Sequence, residues 1–193
     1  MSLDGNALDC LFRKARTPEK WTDRPVDDQT LKTLYELVKL GPTSGNCSPA
    51  RFMFLTTQDA KERLRGALSA GNVEKAMTAP VVAIVGHDPL FFEYFARLND
   101  TPDMRSWFAA DVGLAEETAF RNGTLEGAYL IMAARALGLD ALPMSGFDAS
   151  LVEDTFLAGE AWRANFLVCL GYAEPVETPR ATRLLFDEAC RIL

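Results

Sequence analysis

The stretch from Asp111 to Asp148, DVGLAEETAFRNGTLEGAYLIMAARALGLDALPMSGFD, constrains this chain more than any other. Its first part reads as one long helix. Asp111 is placed to cap it, Glu116 and Glu117 sit early where the helix dipole favours acids, and the alanine-rich run to Leu137 has high helix propensity. Apolar residues at Leu114, Leu125, Ala128, Tyr129, Ile131, Met132, Ala136 and Leu137 cover so much of the circumference that burial on several sides is expected. Gly138 ends the helix, as a glycine does where a left-handed residue must follow the last turn. The short apolar strand Leu139-Asp140-Ala141-Leu142 then runs into Pro143-Met144-Ser145-Gly146-Phe147. A buried helix delivering a strand that ends in Pro-x-x-Gly places bare backbone N–H groups at an interior site. Glycine there lets a flat ligand approach the backbone closely.

Several function classes are disfavoured. A chain of 193 residues reads as one domain, residues 1–193, with a sizeable core. A net charge of −7 argues against nucleic acid and anionic membrane surfaces as partners. No apolar run approaches the roughly 20 residues that span a bilayer. The opening MSLDGNALDC lacks the basic-then-apolar order of a secretion signal. Cys10, Cys47, Cys169 and Cys190 are scattered without C-x-x-C spacing, which reads as reduced thiols in a cytoplasmic protein. The single histidine, His87, directly follows a strand and reads as a strand-end residue, so neither a metal site nor a Ser-His-Asp hydrolase is supported.

Taken in order, residues 3–14 form a short helix, followed by the basic cluster Arg13-Lys14-Ala15-Arg16-Thr17. That cluster is either a solvated helix end or an anion site. Residues 18–26 are loop, with Trp21 as an anchor. Asp27 and Asp28 cap a helix carrying Leu31, Leu34, Tyr35, Leu37 and Val38, which stops at Gly41-Pro42. The loop Thr43-Ser44-Gly45-Asn46-Cys47-Ser48-Pro49 offers hydroxyls, an amide and backbone N–H groups, which suit turn chemistry and the edge of a polar ligand alike. Residues 51–57 read as a strand, 58–68 as an amphipathic helix, and 69–75 as a second polar turn. Residues 80–86 form a strand buried on both faces. Residues 88–110 are ambiguous, with loop at 99–103 and an approach segment, Arg105-Ser106-Trp107-Phe108, before the central helix. Asp148 caps a helix to about Phe156, and residues 165–172 form another buried strand. The tail from Glu174 carries Arg180 and Arg183 and has no evident local partner. These elements predict an α+β sandwich, a small central sheet with helices on both faces.

Neither G-x-G-x-x-G nor G-x-x-x-x-G-K-[ST] occurs, so a nucleotide-like ligand must be held by dispersed arginines, hydroxyls and turn backbones. Six motifs in order do carry a resemblance. They are Ala15-Arg16-Thr17, Gly41 to Pro49, Ala70-Gly71-Asn72 with Lys75, Ala136-Leu137-Gly138-Leu139, Pro143 to Phe147, and Arg180 with Arg183. Together they resemble the FMN-dependent nitroreductase family over nearly the whole chain. GPTSGNCSPAR, RSWF, EETAFRN and PMSGFD are similar to the subgroup assigned as malonic semialdehyde reductases, which form 3-hydroxypropanoate in pyrimidine degradation.

The resemblance implies a nitroreductase-like sandwich that forms an intertwined homodimer, with FMN as cofactor and NADH or NADPH as donor. The reaction would be ping-pong hydride transfer through flavin N5, with no side chain required as a proton-transfer catalyst. Arg16 and Thr17 would meet the ring or ribityl edge, and Arg180 and Arg183 the phosphate, where an arginine fork suits bidentate pairing. Asn72 and Lys75 would address the pyrimidine edge, and Pro143, Met144, Ser145 and Gly146 would lie against the ring. Pro42, Thr43, Ser44 and Asn46 would reach the flavin of the other subunit. Arg105 or Arg121 would pair with the substrate carboxylate. Three positions depart from the family pattern: Ala15 stands where many members have arginine, Ala50 where they have tryptophan, and Ser145 where an acid is frequent. Other readings are a broad nitro- or quinone reductase and a flavin-binding protein without turnover.

Overall fold

The computed structural model describes residues 2–193 except residues 100 and 102. Its helices are, in chain order, α1 (Gly5–Leu8), α2 (Asp28–Val38), α3 (Gln58–Arg65), α4 (Ala70–Thr78), α5 (Phe95–Leu98), α6 (Met104–Ala110), α7 (Val112–Ala136), α8 (Ala149–Val152) and α9 (Phe186–Ala189). Asp27, Thr57, Asp111 and Asp148 each accept a backbone N–H at a helix start, as short polar side chains do at that position. The strands are β1 (Ala50–Leu55), β2 (Val81–His87), β3 (Asp140–Met144) and β4 (Arg163–Gly171), and the sheet order is β1-β2-β4-β3. All neighbours are antiparallel, yet helices intervene between consecutive strands.

Alternation along β2 and β4 divides the core into two layers. Val81, Ala83, Val85, Val168 and Leu170 pack with Leu34 and Val38 of α2 and with Leu130 and Ala134 of α7. Val82, Ile84, Leu167 and Cys169 pack on the opposite side with Leu64 of α3, Ala76 and Met77 of α4, and Val152 of α8. β2 is buried at every position, so it is the central strand that both helical layers cover.

The central helix begins and ends as its sequence signals require, but its buried face is a different one. Ala115, Ala119, Asn122, Gly123, Glu126, Gly127, Leu130 and Ala134 are buried, whereas Leu114, Phe120 and Leu125 are exposed. Close approach decides this. A Cβ on Gly123 would lie 2.8 Å from His87 Cβ, and one on Gly127 would lie 2.4 Å from Phe166 Cζ. At these two positions the helix lies too close to His87 and Phe166 for a side chain.

Three other expectations are corrected. Residues 69–75 are the cap and first turns of α4, not a polar turn, because Ala76 and Met77 pack into the core and draw Gly71 and Asn72 into helix. Arg105 lies within α6, not on a loose approach segment, since Phe108 packs with Phe91 and Phe95. The expected loop at 99–103 includes residues 100 and 102, which lie outside the described residues. The first part of the tail does have local partners: Glu174 N–H donates to Lys20 O at 3.1 Å, and Arg180 grips residues 12–15. Beyond it, Leu184, Leu185, Phe186, Ile192 and Leu193 are exposed. No helix among the described residues is long and apolar enough to cross a membrane.

Candidate functional site

The Pro143–Phe147 turn meets the start of α4. Asn72 Nδ2 donates to Gly146 O at 3.0 Å, and Ser69 N–H donates to the same carbonyl at 3.0 Å. Leu68 and Phe147 form an antiparallel bridge, and Asp148 N–H donates to Ala67 O at 2.7 Å. Both carbonyl lone pairs of Gly146 are thus used. Among the described residues, neither the Ser145 nor the Gly146 N–H donates to a protein acceptor. Gly146 is closely packed: a Cβ there would lie 2.7 Å from Asn72 Nδ2, so a larger residue would displace the Asn72 and Ser69 side chains. Met144 is buried under the turn, while Pro143, Ser145 and Lys75 are exposed. The Lys75 carbonyl accepts the Trp21 indole N–H at 3.1 Å, which fixes the loop 18–26 beside α4.

The basic cluster meets the tail. Arg180 Nη2 donates to the carbonyls of Phe12, Arg13 and Ala15 at 3.2, 3.0 and 2.6 Å. Arg16 Nη2 donates to Thr178 O. Arg135, at the end of α7, donates to Leu11 O at 2.9 Å. Burial, and then the nearby Arg180 charge, push the Arg135 pKa down. Arg13 and Lys14 both reach Asp9, at 3.6 and 2.8 Å. The structure therefore brings Arg16 and Arg180 to one segment. Arg183 is placed apart, donating to the carbonyls of Ala181 and Thr182, and Thr17 is exposed.

The polar loop before β1 is held tightly. Gly45, Asn46 and Ser48 have φ of 57°, 52° and 37°. Left-handed conformations at non-glycine residues persist only where surrounding contacts over-determine them. Those contacts come from α7: Asn122 Oδ1 accepts Ser44 N–H at 2.9 Å, Glu126 Oε2 accepts Ala50 N–H at 2.9 Å, and Tyr129 OH donates to Pro42 O at 2.9 Å. Within the loop, Thr43 Oγ1 accepts Ser48 N–H at 3.1 Å, and Asn46 Nδ2 donates to Leu98 O at 2.7 Å. Arg51 donates to Ser48 O and pairs with buried Asp88 at 2.7 Å. Burial pushes the Glu126 carboxyl above its usual pKa, partly opposed by the Ala50 N–H and Arg51. Burial also raises the Cys47 thiol to about 11. The outer faces of Pro42, Ser44 and Asn46 stay exposed.

A cleft of about 690 Å³ beside β1 is lined in part by Asn46, Arg51, Phe52, Tyr94, Glu126 and Trp162. Neither the Ser145–Gly146 turn nor Asn72 nor Arg180 borders it.

Both arginines expected at a substrate carboxylate carry acidic partners. Arg105 and Glu93 form a bidentate pair at 2.6 and 3.0 Å, on exposed side chains. Arg121 pairs with Glu117 one turn earlier and is exposed, because it lies on the outward face of α7 and not among the core residues. His87 does end β2; it is buried, with Nε2 2.8 Å from Glu116 Oε1 and Nδ1 without a partner. No cluster of acidic, histidine or cysteine side chains able to hold a metal occurs among the described residues.

Sequence reading passed over Asn122, Glu126 and the clamp of Arg51 on Asp88. The first two were visible as polar residues spaced four apart, with Tyr129 three further on, inside a helix otherwise read as apolar.

A helix-flanked four-stranded antiparallel sheet carrying this turn and loop is an α+β sandwich. A nitroreductase family profile matches residues 13–172. A Burkholderia lata protein named "Putative NADH dehydrogenase/NAD(P)H nitroreductase" is 56% identical over 192 residues, covering 99% of this chain and 98% of that one. The fold is shared with ydfN of Bacillus subtilis, at TM-score 0.87 and 21% identity, over 98% and 100% of the two chains. It is also shared with an Exiguobacterium sibiricum protein in complex with FMN, at TM-score 0.83 and 16% identity, over 100% and 99%. The chain belongs to the nitroreductase family, whose cofactor is FMN and whose electron donor is NADH or NADPH.

Proposed function

We propose that this chain binds FMN in a homodimer and uses NADH or NADPH to reduce malonic semialdehyde to 3-hydroxypropanoate. The observation that carries the flavin reading is the Gly146 turn, where two free N–H groups stand beside the Asn72 amide at a closely packed glycine. The donor set fits the cofactor: Arg16 and Arg180 are suited to its phosphate, Asn72 and Lys75 to its pyrimidine edge, and the Ser145 and Gly146 N–H groups to its central ring. When bound, FMN would supply two-electron hydride chemistry between the nicotinamide and the acceptor. The protein's part would be to hold the cofactor against Pro143 to Gly146, with Asn72 and Lys75 at its pyrimidine edge and Arg16 and Arg180 at its phosphate.

The loop Pro42, Thr43, Ser44 and Asn46 contributes from the second copy. The exposed outer faces of Pro42, Ser44 and Asn46 support this, as do the exposed apolar residues Leu114, Phe120 and Leu125 on α7 and Leu184, Leu185 and Phe186 in the tail. An obligate interface of this kind buries on the order of 2,000 Å² or more. Light scattering should give a dimer mass with FMN bound; a monomer that keeps FMN would overturn the dimeric site.

The semialdehyde reading rests on GPTSGNCSPAR, RSWF, EETAFRN and PMSGFD. The name of the Burkholderia lata relative favours a second reading, a broader nitro- or quinone reductase. Steady-state turnover of malonic semialdehyde against a nitroaromatic and a quinone decides between them. A kcat/KM for the semialdehyde well below that for both aromatics selects the second.

A further inference from the structure

The polar loop is strained, and what holds it is a row of three side chains on the central helix. Asn122, Glu126 and Tyr129 lie at spacings of four and three, so they share one face of α7. Each makes one hydrogen bond of 2.9 Å: Asn122 and Tyr129 to the loop backbone at Ser44 N–H and Pro42 O, and Glu126 to Ala50 N–H, the first residue of β1, where the loop ends. Asn122 is oriented in turn, because its Nδ2 donates to Thr118 O at 2.9 Å. That leaves its carbonyl oxygen facing the loop. Asn122 is 8% exposed and Glu126 5%, so both are largely withdrawn from water, with Glu126 bordering the cleft beside β1. The Tyr129 ring occupies the space beside Gly41, where a Cβ would lie 2.1 Å from Tyr129 Cδ2. Buried polar groups of this kind cost free energy in a core position that alanine or leucine could fill. What they secure is a loop with three left-handed residues whose outward groups are exposed.

We infer that Asn122, Glu126 and Tyr129 are positioning residues for the flavin site: they hold the loop 42–46 in its ligand-ready shape before a second copy's cofactor arrives. The inference rests on the proposed dimeric FMN site. Preorganisation of this sort lowers the cost of ordering the loop on binding. It also ties the cofactor contact in one subunit to the helix that packs that subunit's own sheet.

The test uses the holoenzyme and the variants Asn122→Leu, Glu126→Leu, Glu126→Gln and Tyr129→Phe, with FMN affinity from flavin fluorescence, steady-state kinetics, and urea unfolding. Asn122→Leu and Glu126→Leu should weaken FMN about tenfold or more, equal to about 1.4 kcal/mol. Glu126→Gln keeps an acceptor for Ala50 N–H and should restore affinity to within about twofold. Tyr129→Phe keeps the ring and the fold, and should weaken FMN about threefold. Wild-type FMN affinity and kcat in Asn122→Leu and Tyr129→Phe, with stability alone reduced, would overturn the inference. Should Asn122→Leu not fold, Tyr129→Phe and the Glu126 pair give the same decision. A co-expressed heterodimer of Asn122→Leu with Arg180→Gln contains one site with an intact loop and an intact arginine. It should recover up to half the wild-type turnover; no recovery would overturn action on the second copy's cofactor. Failure of the wild-type protein itself to bind FMN would instead remove the flavin reading.

Discussion

The Asn72 amide donates to the Gly146 carbonyl at 3.0 Å, joining the first turn of α4 to the end of β3 across 74 residues of sequence. Neither residue could be assigned a partner from local pattern. Together they shape the surface against which a flat ligand would rest. Asn72→Ala removes one bond to a half-buried carbonyl that keeps its second donor, Ser69 N–H. It should cost about 0.5–1.5 kcal/mol of stability by urea unfolding. Gly146→Ala is harsher, because the new methyl meets Asn72 Nδ2 at 2.7 Å and Ser69 Oγ at 3.1 Å. Overpacking of about 1–3 kcal/mol is expected there, with FMN affinity falling more than for Asn72→Ala. Equal FMN affinity in wild type and Gly146→Ala would separate this turn from the flavin.

A phosphate anchor should distinguish FMN from riboflavin. Arg180 now satisfies three backbone carbonyls, and Arg135 stands close enough to feel its charge. Two guanidiniums near one another favour an anion between or beside them. Arg180→Gln should weaken FMN by about 1.5–3 kcal/mol, the range for hydrogen bonds to charged groups, and leave riboflavin binding nearly unchanged. Calorimetric titration with both ligands measures the difference. Arg183→Gln should have the smaller effect, since Arg183 is exposed and turned to its own backbone.

Strands, helix limits and fold class were legible because they follow from local signals. β2 announced itself as an unbroken apolar run, and Asp111 and Gly138 bracketed α7 to within one residue of its observed ends. The buried face of α7 was not legible, because counting apolar residues favours leucine, while close approach to β2 and β4 selects Gly123 and Gly127. Residues 69–75 were misread because Gly71 and Asn72 locally favour a turn, and only the packing of Ala76 and Met77 overrides them. Arg16 bonds the tail at Thr178 and Arg180 bonds residues 12–15, contacts that no local pattern reveals, and the pairing of Arg105 with Glu93 joins residues 12 apart on different elements. No periodicity reveals such a pair.

Glu126 gives a pH signature. Burial raises its folded-state pKa above the ordinary glutamate value of 4.5. A raised carboxyl favours the protonated form in the fold, so its contribution is most favourable below about 4.5 and is lost as pH rises through the folded value. Glu126→Gln removes that dependence and keeps the acceptor for Ala50 N–H. The variant should therefore be more stable than wild type at pH 7, and the gain should disappear near pH 4. Urea midpoints at the two pH values check it; a gain of the same size at both would assign the effect to packing.

The four thiols should separate into two pairs. Cys47 and Cys169 are fully buried, and burial pushes their pKa values up to about 11 and about 12. Thiols in that state are poor nucleophiles at neutral pH. Cys10 and Cys190 are exposed. Ellman's reagent should titrate two thiols in the native protein at pH 8 and all four after denaturation. Rapid modification of a third would mean that the region around Cys47, which packs with Phe91 and Phe95, opens readily.

If the acceptor is the proposed oxo acid, Arg105 is the arginine proposed to meet its carboxylate. A small oxo acid offers little apolar area, so its orientation must come largely from its charged end. Arg105 holds Glu93 in a bidentate pair, but both side chains are about half exposed, at 56% and 48%. Exposed pairs contribute only about 0–1 kcal/mol, so a carboxylate ligand can displace Glu93 at small cost. Arg121 pairs with Glu117 within its own helix and is 74% exposed. Arg105→Ala should raise KM for malonic semialdehyde about tenfold, or about 1.4 kcal/mol, and leave turnover of a neutral quinone unchanged. Glu93→Gln frees the guanidinium and should lower KM for the semialdehyde. Equal losses with both acceptors in Arg105→Ala would place the residue in the support of α6, and wild-type kinetics with the semialdehyde would remove it from the site.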